Sequence, residues 1–252
     1  MSVVGTGGRP RGVRSRAGEQ AGGPAGPLTM AIESVTHRYG ERVVLQSVDL
    51  ELSERRIGVV GANGSGKSTL ARLLNGLVVP TEGRVLVDGL DTRTHGPAVR
   101  RRVGFVFTDP DAQIVMPTVA EDVAFSLRRT GLSRAETAER VAAALDRFGL
   151  AGHADHPAHL LSGGQKQLLA LTSVLVTEPD VLVCDEPTTL LDARNTRQVA
   201  ALLDDLPQQV VLVTHDLDLV AGFDRVVVVD EGRVVADAAP GVALAAYREL
   251  VG

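Results

Sequence analysis

The sequence predicts an α/β fold on a mostly parallel sheet, with an N-terminal antiparallel β part and a helical block inserted before the later strands. Three observations carry this prediction. Continuous apolar runs at Ile57 to Val60, Val103 to Phe107, Val181 to Cys184, Val210 to Val213 and Val226 to Val229 have the pattern of strands covered on both faces. Thr36 to Leu52 instead turns at Tyr39-Gly40 and alternates from Val43 onward, as half-buried antiparallel strands do. Helical text concentrates from about Thr118 to Val176.

Residues 1–29 hold eight glycines, three prolines and four arginines (Arg9, Arg11, Arg14, Arg16) against one glutamate, and read as a disordered tail. Met30 opens the first strand-like text, so translation is expected to start there, and the domain is expected over 30–252. The helical block is placed at about 115–177. Within it Thr118 and Glu121, and again Ser133 and Glu136, have capping-box spacing, and Val141, Leu145 and Phe148 recur on one helical face. The last apolar run is followed by Asp230-Glu231-Gly232 and a further run, the text of a terminal hairpin.

Composition narrows the function classes. The chain has 252 residues, 44% hydrophobic and 23% charged, enough to bury a core of ordinary size. A single cysteine, Cys184, excludes a disulfide framework and reads as a small buried strand residue. A net charge of -5 argues against duplex nucleic acid, whose binding depends on clustered Lys and Arg. The longest charge-free apolar run, Gln167 to Thr177, is too short to span a bilayer, so any membrane role is expected to be peripheral. Only two of the 26 basic residues are lysines, Lys67 and Lys166.

Lys67 lies in Gly61-Ala62-Asn63-Gly64-Ser65-Gly66-Lys67-Ser68, a G-x-x-x-x-G-K-[ST] loop directly after an apolar run. Glycines let successive N–H groups turn onto an anion, Lys67 brings a point charge to the β and γ phosphates, and Ser68 offers a hydroxyl to Mg²⁺. The helix beginning here aims its dipole at the same anion. A P-loop NTPase fold follows. The candidate ATP-binding residues are Gly61, Asn63, Gly64, Ser65, Gly66, Lys67, Ser68 and Thr69.

Val181 to Glu186 is an apolar strand ending in two acids, which repel and resist desolvation unless a cation or substrate uses them. Beside a phosphate loop, Asp185 is the candidate Mg²⁺ partner and Glu186 the base that orients water. Leu161-Ser162-Gly163-Gly164-Gln165 then opens a helix with a hydroxyl and glycine N–H groups, a second candidate anion site.

Together these motifs resemble the ATP-binding cassette ATPases, whose signature is LSGGQ, over Met30 to about Asp237. The resemblance implies several roles. Tyr39 would stack on adenine, Asp192 would be the D-loop aspartate, and His215 would contact the γ phosphate. Cassettes of that family pair head to tail, so Ser162, Gly163, Gly164 and Gln165 would serve a second cassette's nucleotide. A transmembrane coupling protein and a substrate-binding membrane protein would complete the complex at the cytoplasmic face of the membrane.

One departure stands at Phe107-Thr108-Asp109-Pro110, where the family usually places a glutamine that meets Mg²⁺. Thr108 retains an oxygen but is shorter, and metal contact through it calls for an extra water. Gln113 is the alternative. The segments Val103 to Gln113 and Pro117 to Phe125 resemble the energy-coupling factor subclass of vitamin and metal-ion importers. Threonine at the glutamine position, with Thr188-Thr189-Leu190-Leu191-Asp192, looks most like the ATPase of biotin importers; cobalt and nickel importers are the competing reading. A soluble cassette of DNA repair or translation is a more distant rival, usually carrying coiled-coil insertions or fused cassettes. His153, His156 and His159 read as part of a solvated linker rather than a metal site, because Gly152 and Pro157 break the helix that would align them.

Overall fold

The structure is a computed structural model that describes residues 26–252. Two sheets form its frame. The first joins β1 (Met30–Tyr39), β2 (Arg42–Leu52), β4 (Glu82–Val87) and β5 (Leu90–Asp91) in the antiparallel order β2-β1-β4-β5. The second has the order β10-β9-β3-β8-β7-β6 and takes in β3 (Arg56–Val60), β6 (Val103–Val106), β7 (Val181–Asp185), β8 (Gln209–Val213), β9 (Arg225–Asp230) and β10 (Arg233–Ala238). Its pairs from β9 across to β6 are parallel; the β9–β10 hairpin alone is antiparallel.

Side chains of the parallel strands alternate between two apolar clusters. Leu182, Cys184, Val210, Leu212, Val226 and Val228 face one, and Val181, Val183, Val211, Val213, Val227 and Val229 face the other. Both faces are therefore dry, which is why these strands read as unbroken apolar runs. Each fully buried Val or Leu is worth roughly 1.5–3 kcal/mol, so this sheet is the stiff element on which the site is hung.

Helices cover the sheet. They are α1 (Lys67–Leu74), α2 (Gly96–Arg102), α3 (Val119–Leu127), α4 (Arg134–Arg147), α5 (Gly163–Leu175), α6 (Ala193–Asp205) and α7 (Pro240–Val251). The helical block is α3 to α5, and both expected capping boxes form, at Thr118/Glu121 and Ser133/Glu136. Val141, Leu145 and Phe148 are all buried in the helix-side cluster.

Several elements lie outside the expected ones. β4 and β5 complete the antiparallel sheet, and α2, α6 and α7 pack outside the helical block. The expectation for residues 1–25 falls outside the described residues. The last four tail positions are described: Leu28 is buried, and its amide donates to Gln209 Oε1 at 2.9 Å, so the packed structure begins before Met30. Among the described residues no helix is long and apolar enough to cross a membrane.

Candidate functional site

Parallel strands end on one edge of their sheet, so residues that follow them converge there. The loop Gly61–Gly66 follows β3, Thr108 follows β6, Glu186 follows β7, and His215 follows β8. Sequence positions spread over most of the chain thus meet by topology alone.

The loop itself is shaped by its glycines. Gly66, the residue before α1, has φ +108°, and a Cβ there would lie 2.7 Å from the Val44 carbonyl oxygen of β2. Only glycine serves at that point. Lys67 begins α1 and is buried; its Nζ donates to the carbonyls of Gly61 at 2.8 Å and Ala62 at 2.9 Å, which folds the ammonium back over the loop. Burial pushes its pKa down, opposed by the nearby charges of Glu186 and Asp185. Ser65 and Thr69 are buried, while Asn63 and Gly64 stand exposed at the loop tip.

Asp185 ends β7 in full burial, and Ser68 Oγ donates to its Oδ1 at 2.7 Å. Burial raises the Asp185 carboxyl above its ordinary range; the Ser68 hydrogen bond and the Arg72 guanidinium, 3.6 Å from Oδ2, pull the other way. Arg72 is absent from the sequence reading. Its signal was available, since it lies four residues after Ser68 on the same face of α1. A hydroxyl and a buried carboxylate side by side are hard oxygen donors. They fit Mg²⁺, which takes one or two carboxylates together with substrate phosphates and water.

Glu186 occupies the left-handed region at φ +54°, an uncommon conformation for a non-glycine residue. His215 Nδ1 at 2.8 Å and Thr189 Oγ1 at 3.0 Å both donate to Glu186 Oε2. The carboxylate is therefore held, and half-exposed His215 stands on its solvent side. Thr108, the expected metal contact, lies beside Asp185, and its Oγ1 donates to the Asp185 carbonyl at 2.7 Å. Gln113 does not reach the site. Its Oε1 accepts from Phe107 N at 3.2 Å and its Nε2 donates to Ala170 O at 3.2 Å, so it binds its own turn to α5.

Tyr39 ends β1 half-exposed, with its ring edge-on to buried His37 at a centroid distance of 4.7 Å. The signature residues gather elsewhere. Ser162 caps α5 through a complete capping box with Gln165, whose Nε2 also donates to His153 Nε2 at 2.9 Å. Gly163 and Gly164 form the first turn. A Cβ on Gly164 would lie 2.5 Å from Asn195 Cγ, and Asn195 Nδ2 in turn donates to Asp192 Oδ2 at 3.1 Å. Asp192 caps α6 by accepting from Arg194 N and Asn195 N. Signature and Asp192 are thereby packed as one unit.

The description "ABC transporter" belongs to the family model that matches residues 45–189, more than half of the chain. The chain belongs to the ABC transporter ATP-binding family. As an ABC cassette it binds and hydrolyses ATP. It is 57% identical over 218 residues, 86% of this chain and 96% of the relative, to a Deinococcus radiodurans protein provisionally named as an ABC transporter ATP-binding protein. It is 48% identical to the biotin transport ATP-binding protein BioM of Rhizobium etli, over 88% of this chain and 99% of that one. Among solved structures, the ABC cassette resembles CbiO1 of Clostridium perfringens, part of the transporter complex CbiONQ. The TM-score is 0.77 at 33% identity, covering 89% of this chain and 93% of that chain.

Proposed function

We propose that this ATPase drives an import complex of the energy-coupling factor type, and that its cargo is a vitamin, with biotin favoured. The observation that carries the catalytic part is the joining of Ser68 to Asp185 at 2.7 Å and of Glu186 to His215 at 2.8 Å on one sheet edge. ATP lies with its phosphates on Gly61 to Thr69 and its adenine on Tyr39. Lys67 exchanges the carbonyls of Gly61 and Ala62 for phosphate oxygens, a stronger, charge-assisted pairing. Ser68 and Asp185 are the residues that would hold Mg²⁺, with Thr108 beside them as a further oxygen donor; the cation would supply neutralisation of phosphate charge. Glu186 accepts a hydrogen bond from the attacking water and His215 contacts the γ phosphate. A second cassette contributes its Ser162, Gly163, Gly164, Gln165 and Asp192.

The cargo rests on likeness to BioM over nearly that protein's whole length. The second reading, an importer of cobalt or nickel, rests on the resemblance of Val103 to Gln113 and Pro117 to Phe125 to the energy-coupling factor subclass as a whole. The protein would sit at the cytoplasmic membrane face, held by a transmembrane coupling protein and a small substrate-binding membrane protein. Two measurements test this. Glu186→Gln is expected to trap an ATP-bound dimer and abolish turnover in the assembled complex; unchanged turnover would overturn the assignment of Glu186. Uptake by the complex in vesicles, with labelled biotin against labelled cobalt and nickel, decides the cargo.

A further inference from the structure

Lys166, the second lysine of a chain that otherwise uses arginine, is not absorbed by the nucleotide site. It lies in the first turn of α5, immediately after the signature, and its side chain is 17% exposed. Nζ donates to both oxygens of Asp111, at 2.7 and 3.0 Å. Asp111 belongs to a short turn, Pro110–Ala112, capped by Asp109. One helical turn further along α5, Ala170 O accepts from Gln113 at the end of the same turn. The turn is therefore fixed to α5 at two levels, and at its start Thr108 fixes it to the Asp185 carbonyl.

A continuous set of three attachments thus runs from the end of β7, beside this chain's own phosphate loop, to the residue following its signature. A partly exposed ion pair adds little to stability. Geometry is a different matter: a charge held by two oxygens restricts where the first turn of α5 points, and displacements near 1 Å change rates greatly. We propose that Lys166 and Asp111 are a positioning pair, which sets the orientation of Ser162 and Gly164 toward the nucleotide of the opposing cassette according to the place of Asp185 in its own site. The proposal rests on the paired-cassette reading given above.

The test uses the full chain in its assembled complex. Lys166→Met and Asp111→Ala are each expected to lower kcat about tenfold while binding of a fluorescent ATP analogue to the phosphate loop changes by less than about twofold. Lys166→Arg, which keeps the pair, is expected to retain activity. The exchange Lys166→Asp with Asp111→Lys is expected to recover most of the loss. Melting curves of every variant report folding. Native kcat in both single variants, or an exchange variant as slow as the singles, would overturn the proposal. If Glu186→Gln forms no ATP-bound dimer, the paired reading fails and this proposal falls with it. If that dimer forms while Lys166→Met stays fully active, the positioning pair alone is refuted.

Discussion

At the scale of single residues, the site is a set of charges that burial disfavours and substrate would satisfy. Asp185 is the sharpest case. Folding raises its carboxyl pKa, so its contribution to stability is full below the unfolded value and is lost as pH rises through the folded one. Asp185→Asn, which buries no charge, is expected to melt above the native protein in the absence of nucleotide at about pH 7.5, with the gap closing near pH 4. It is also expected to lose ATP hydrolysis. A lower melting temperature at the higher pH would refute the burial argument. Gly164→Ala drives a Cβ into Asn195, an overpacking of about 1–3 kcal/mol. Combining it with Asn195→Ala should return part of that loss, and a double-mutant cycle measures how far the two are coupled. The candidate residues could be named from sequence because the loop and the two-acid strand end are contiguous text. Their partners could not: Thr108 meets the Asp185 carbonyl, Lys166 meets Asp111 and Gln113 meets Ala170 only through folding.

Elements were legible where a local signal fixed both ends. The capping boxes of α3 and α4 were plain in sequence, and the box on α5 completes the set. In the proposed pairing this last cap would have a second use, which can be separated from the first. Ser162→Ala and Ser133→Ala are each expected to cost about 1 kcal/mol of stability, as lost caps do, but only Ser162→Ala should also depress ATP hydrolysis. Equal activity of the two variants in the assembled complex would reduce Ser162 to a cap. β4 escaped the sequence reading because Glu82-Gly83-Arg84 opens it with exposed polar text and only Val85 and Val87 enter the core. α7 escaped for a related reason, since Ala243 and Leu244 are its only fully buried residues and its outer face carries Val242, Leu250 and Val251. Leu28 had no local mark at all; it is buried in the apolar cluster of the first sheet, and its amide meets Gln209, 181 positions away.

For the molecule as a whole, the separation of the signature group from the phosphate loop has a kinetic expectation. ATP hydrolysis per chain should rise with protein concentration or with assembly into the complex, and a purified, strictly monomeric species at full activity would contradict the paired reading. The sheet order also governs how the molecule comes into being. The strand that bears the phosphate loop pairs with β8 and β9, and the Gly232 amide at the β9–β10 turn donates to Ser65 O at 2.9 Å while its carbonyl accepts from Gln46 N. During synthesis that strand emerges early and waits with both edges unpaired until the chain beyond Val210 and Arg225 has followed. Pairings of such sequence separation form slowly and leave apolar edges open to aggregation. The motif easiest to find in the sequence is therefore among the last to acquire its shape, and a nascent chain stalled before Arg225 would present a client for chaperones rather than a nucleotide site.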